Sequence, residues 1–214
     1  MCYDAETSRN AFVIGIVSSI VLYYSTQKTE YKAIALFLGY VTLMQGFDYL
    51  FWTHPPPSDI NRVATKAAAV VNWMQPVILF LLLRTTQTKQ TTTIKHMVLI
   101  YFMIVVCYLT VHWNKLSFTE VKPDSAPSLR WDWIRFKGSN ELGILYLIVF
   151  IYTSYTFLNS STNLLFLLLI LGTFVFSVSK HYINATYGRF WCYYAAYTPL
   201  VLLLALQAKE VGLN

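Results

Sequence analysis

The sequence predicts an all-α protein, a polytopic bundle of seven transmembrane helices in a single domain spanning residues 1–214. Three observations predict it. The chain is 56% hydrophobic, 17% aromatic and only 12% charged, with a mean hydropathy of +0.48, whereas soluble domains carry roughly 25% charged residues. Its apolar residues fall into long stretches with short polar connections between them, and a helix needs about 20 such residues to cross the ~30 Å hydrocarbon layer. Runs such as LFLLL and LLFLLLILG are apolar on every face. A membrane strand would alternate in polarity, and a helix satisfies its backbone polar groups internally where lipid cannot.

The expected spans are 10–25, 33–52, 65–83, 94–113, 142–158, 164–181 and 189–207. Residues 1–10 are polar and include Asp4 and Glu6. They lack the basic opening of a cleaved signal, so the first span is expected to act as its own insertion signal. Gln27-Lys28-Thr29 separates it from the second span, which carries MQGFD and ends at Trp52. The third span holds Asn72, Gln75 and Pro76, and the fourth runs out at Trp113. The long connection 114–141 contains Pro123, Pro127 and the amphipathic stretch LRWDWIRF. Its Trp131 and Trp133, with Arg130 and Arg135, are expected to anchor on the membrane surface or to cap a cavity. A polar turn at 159–163 separates the fifth and sixth spans, and the seventh begins WCYYAA. Tyr and Trp gather near the span ends, as in the aromatic belts of membrane proteins. An odd number of spans puts the termini on opposite sides. Lys and Arg nearly balance across the membrane once the long connection is set aside, so orientation stays open.

A weak internal repeat runs through this order. The third span reads WMQPVILFLLL around Pro76 and the seventh AYTPLVLLLAL around Pro199. Aligning Gly39 with Gly172 sets Asp48 opposite His181. The pattern is 3+1+3, two halves in the same orientation about a linking helix. Parallel repeats of that kind resemble the SWEET/PQ-loop proteins and, more loosely, the opsins; transporters place substrate sites at such repeat interfaces.

Polar groups inside the spans need a reason. An Asp at a helix centre costs roughly 2.5–3.5 kcal/mol on insertion scales and usually faces a cavity or a partner. Asp48 is the only acid within an expected span, and helical spacing sets Gln45 and Trp52 on its face. Cys2, Asp48, His54, His112, His181 and Cys192 all fall at the amino-terminal face of the bundle. His beside Asp makes up proton relays, which gives a solute or proton path of Asp48, Gln45, Asn72, Gln75 and His181. His and Cys are also ligands for zinc or copper, which gives a candidate metal set of His181, Cys192, Cys2 and His54, without HExxH or CxxC spacing. Asn72 and Gln75 beside Pro76 either line a path or hold helices together.

Other classes are disfavoured. The last span has no lysine for a retinal Schiff base, so no retinal is expected, and there is no TVGYG filter. Gly-rich phosphate loops and the GxSxG elbow are absent. The net charge of +6 belongs to loops that meet lipid headgroups, so no nucleic-acid partner is expected. Three cysteines are too few for a disulfide framework.

An opening Met-Cys-aromatic, MQGFD in the second span and WCYYAA in the last resemble a family of small seven-helix membrane proteins of bacteria and large DNA viruses. Its members open Met-Cys-Phe-Ser-Ala, carry Gln-Gln with an acid three residues on, and begin the last helix Trp-Cys-Phe-Phe-Ala-Ala. Here Tyr3-Asp4, Met44-Gln45 and Asp48 depart from that pattern. The resemblance implies that Cys2, Gln45, Asp48, Trp191 and Cys192 are the positions to examine, and it implies no activity. The leading expectation is a transporter or channel-like protein for a small solute or ion, integral to a virion or host membrane, and not an enzyme. Two alternatives stand beside it. One is a membrane-embedded metal-dependent enzyme acting on lipid. The other is a structural envelope protein of a large DNA virus, partnered by a viral shell protein or by further copies of itself.

Overall fold

The computed structural model describes residues 4–86, 92–122, 128–158, 160–181 and 187–210. They form an all-α protein: α1 (Ala5–Ser25), α2 (Thr29–Thr53), α3 (Asp59–Arg84), α4 (Thr92–His112), α5 (Ser139–Phe157), α6 (Ser160–His181), α7 (Tyr187–Ala196) and α8 (Thr198–Glu210). Among the described residues three helices, Thr29–Thr53, Asp59–Arg84 and Thr92–Lys115, are long and apolar enough to cross a membrane. Each expected apolar stretch lies on a helix.

The helices begin earlier than hydropathy alone places them, in polar first turns. Asp4 accepts a hydrogen bond from the Thr7 amide at 2.6 Å, an N-cap that satisfies one of the orphan donors of α1. In α3, Arg62 bonds Asp59 at 2.7 Å across the first turn. Pro76 sits inside α3 without breaking it. The carbonyls of Val71 and Trp73, which flank the one that proline leaves without its amide partner, accept from the hydroxyls of Tyr40 at 3.2 Å and Tyr101 at 2.6 Å. The last expected span behaves differently: it divides into α7 and α8 at Tyr197, two residues before Pro199, where a continuing helix would clash with the proline ring.

Helix α2 is the hub, in contact with α1, α3, α7 and α8. Small residues permit this. A Cβ on Gly15 would lie 2.6 Å from the Thr42 side chain and 2.7 Å from the Ala196 carbonyl, and one on Gly39 would meet Ser19 at 3.5 Å. Gly172, the repeat partner of Gly39, meets nothing within 4 Å. The halves therefore do not pack alike: α2 packs against both α1 and α3, whereas its counterpart α6 packs against α7 and touches α5 only lightly. The interior is aromatic, with Phe150 between Phe37 and Phe166 at 5.7 and 5.8 Å.

The connection between α4 and α5 corrects one expectation. It carries an antiparallel hairpin, β1 (Glu120–Lys122) and β2 (Ser128–Arg130), with Val121 opposite Leu129. Trp131 and Trp133 follow it at 3% and 0% exposure. They are not surface anchors: the segment folds over the end of the bundle and inserts both indoles. Arg135 stays exposed and Arg130 half-exposed, the latter bonding Asp132 at 2.6 Å.

Large apolar side chains cover the outer faces of α1, α4 and α6, including Val17, Ile20, Leu99, Met103, Leu168 and Val175. Water penalises apolar surface of that extent, whereas lipid does not.

Candidate functional site

The site is a buried polar centre beneath the aromatic cap. Helix α2 turns Gln45 and Asp48 inward, and both are fully buried. The Trp131 indole nitrogen donates to Asp48 Oδ1 at 3.0 Å, so the cap is hydrogen-bonded to the one acid within an expected span. Trp131 stacks on Trp133 with ring centroids 5.0 Å apart.

Two further attachments hold the cap. The Trp133 carbonyl accepts from the Tyr108 hydroxyl at 2.7 Å, while His112 sits 3.3 Å from the Lys137 carbonyl and stacks on Phe136 at 4.8 Å. Asn61 of α3 forms the second. Its amide nitrogen donates to the carbonyls of His54 at 3.0 Å and Thr119 at 3.1 Å, and its oxygen accepts from the Thr119 amide at 2.9 Å. Thr65 donates to the same oxygen at 3.2 Å. A buried amide with four hydrogen bonds is satisfied, as burial requires.

Helices α3, α5 and α7 complete the centre. Tyr146 of α5 donates its hydroxyl to Gln75 Oε1. Its ring stacks on Phe150 and meets Trp191 edge-on at 5.8 Å, and Trp191 in turn donates to the Ile170 carbonyl at 3.1 Å. Cys192 of α7 is buried, on a helix that packs against α2. Gln75 Nε2 is buried with no hydrogen-bond partner among the described residues. An unmet buried donor of that kind costs about 1–3 kcal/mol.

No protein family, curated protein or solved structure matches this chain. The chemistry of the centre rests on its own geometry. A carboxylate, two amides, a phenol and a thiol from α2, α3, α5 and α7 share one interior with a tryptophan of the cap. Such a set gathers paired donors and acceptors in an apolar bundle, and Asp48 is its one carboxylic acid.

The structure brings together Asp48, Gln45, Gln75 and Cys192 of the residues expected from sequence. Asn72 is only half-buried. His54 is also half-buried, its Nδ1 2.9 Å from Thr53 Oγ1. Cys2 and the side chain of His181 lie outside the described residues, and with them the Asp48–His181 pair and half of the expected metal set. Among the described residues no three His, Cys, Asp or Glu side chains are grouped to hold a metal. Of the positions that the family resemblance singles out, Gln45, Asp48, Trp191 and Cys192 are all buried.

Sequence reasoning missed Tyr146 and Asn61. Tyr146 had a signal: it is the lone hydroxyl in LGILYLIVF, and a buried Tyr needs a partner.

Proposed function

We propose that this chain is a multi-pass membrane protein that carries a small polar solute or ion, with the centre at Gln45, Asp48, Gln75, Tyr146 and Cys192 as its binding site. The observation that carries this reading is the full burial of Asp48 with its carboxylate held by Trp131 of the cap. A buried acid inside an apolar bundle is expensive and marks ion or substrate pathways. The unmet Gln75 amide adds a donor that a bound solute would engage.

Burial also favours a carrier over an open pore. Solute reaches Asp48 only after the Trp131 bond breaks and the cap moves, so binding and opening are coupled. Asp48 exchanges a proton or cation with the solute as the cap opens and closes.

The test is flux in proteoliposomes holding a pH-sensitive dye, driven by a potassium gradient with valinomycin, with candidate solutes added outside. The wild type moves protons at a rate that a transported solute changes, and Asp48→Asn abolishes that response while the protein stays folded. Equal proton movement by wild type and Asp48→Asn would remove the coupling role.

A further inference from the structure

On the outer face of the bundle, α3 and α4 leave a groove of about 600 Å³. It runs along the antiparallel pair from Trp113 and Asn114 at one end, past Val70 and Leu109, to Met74 and Phe102 at the other. Its walls are apolar for most of this length. At the open end Lys66 places its ammonium 5.0 Å from the centre of the Trp113 ring, and Asn114 and Lys115 are exposed beside it.

We infer that this groove holds one acyl chain of an anionic phospholipid, with the phosphate at Lys66, Trp113 and Asn114. The inference rests on the membrane reading and is independent of what the polar centre carries. Two features choose the occupant. The first is length: Phe102 to Asn114 spans about 18 Å at the helical rise, close to half of the ~30 Å hydrocarbon layer, so the groove is one leaflet deep. The second is chemistry. Trp113 ends the apolar run of α4, the depth at which indoles sit among headgroups, and a lysine held against it offers positive charge at the height of a phosphate. Basic pockets beside membrane helices recognise anionic headgroups in this way. A sterol would fill the apolar part and leave the lysine unused.

The test is lipid retention by the detergent-purified full chain, read by native mass spectrometry. Phosphatidylglycerol and phosphatidylcholine with identical acyl chains are supplied in equal amount. The wild type retains one phosphatidylglycerol in preference by roughly fivefold, the worth of one well-placed lysine. Lys66→Gln brings retention down to the phosphatidylcholine level, and Lys95→Gln, which removes a charge at the other end of α4, leaves the preference intact. Met74→Trp, which fills the groove floor, reduces retention of both lipids. Equal retention of the two lipids by the wild type, or an unchanged preference in Lys66→Gln, overturns the inference. Recovery of the chain in water without detergent would instead bring down the membrane reading itself.

Discussion

Asp48 and Trp131 form the contact on which the polar centre closes. Replacing Trp131 by Phe keeps the ring and removes the donor, and a hydrogen bond to a charged group is worth about 1.5–3 kcal/mol. Trp131→Phe and Asp48→Leu, which removes the acceptor, are therefore expected to be strongly non-additive in thermal unfolding in detergent, with a coupling energy of about 1–3 kcal/mol in a double-mutant cycle; additive effects would mean that the bond does not hold the cap. Asn61→Ala removes four hydrogen bonds, two of them to Thr119 on the other side of the cap. It is expected to destabilise by about 2–4 kcal/mol and to raise amide exchange at Thr119 first. Asp4 gives the acid-side prediction. Its bond from the Thr7 amide holds the carboxyl below its ordinary value, so the cap is present above about pH 4 and is lost as pH falls through the lowered value. Protection of the Thr7 amide follows that course, and Asp4→Asn, which caps without titrating, removes the step. At this scale the sequence displayed Asp48 plainly, because an acid in an apolar run is conspicuous. It named Trp131 and Trp133 as anchor or cap without deciding between them, because a Trp in an amphipathic stretch reads alike whether it turns outward to headgroups or inward to the core, and for Tyr146 it offered only a lone hydroxyl in an apolar run.

Helices were legible as elements because their apolar runs are long and their connections polar. The hairpin was not, since strands as short as Glu120–Lys122 and Ser128–Arg130 leave no periodicity to read. The repeat was legible as pattern and misleading as packing: Gly39 lies in the tight α1–α2 contact, and Gly172 faces open space on α6. Side-chain volume decides the difference, and volume acts across helices that sequence comparison does not juxtapose. Gly15→Ala is expected to cost about 1–3 kcal/mol by overpacking against Thr42 and the Ala196 carbonyl. Gly172→Ala is expected to be neutral or to stabilise by up to about 1 kcal/mol through helix propensity. Thermal unfolding of both variants in one detergent checks the contrast, and equal destabilisation would contradict the packing described for α2.

For the whole molecule, the decisive quantity is the solvent. Large apolar side chains on the outer faces of α1, α4 and α6, over an interior that is itself mostly apolar around the polar centre, make a surface that water penalises and lipid does not. With lipid outside, the same distribution is stable, and Asp48, Gln45, Gln75 and Cys192 are the groups that the proposed carrier would offer a solute. In the seven-span reading, with α7 and α8 together making the last crossing, successive connections would alternate between the two sides of the bilayer. Single cysteines at Lys28, Pro55, Thr85 and Ser117, labelled with a membrane-impermeant maleimide on sealed vesicles before and after permeabilisation, test this most directly. Positions 28 and 85 are predicted to react from one side only, and 55 and 117 from the other; labelling of all four from the same side would contradict the membrane-crossing bundle and the carrier built on it.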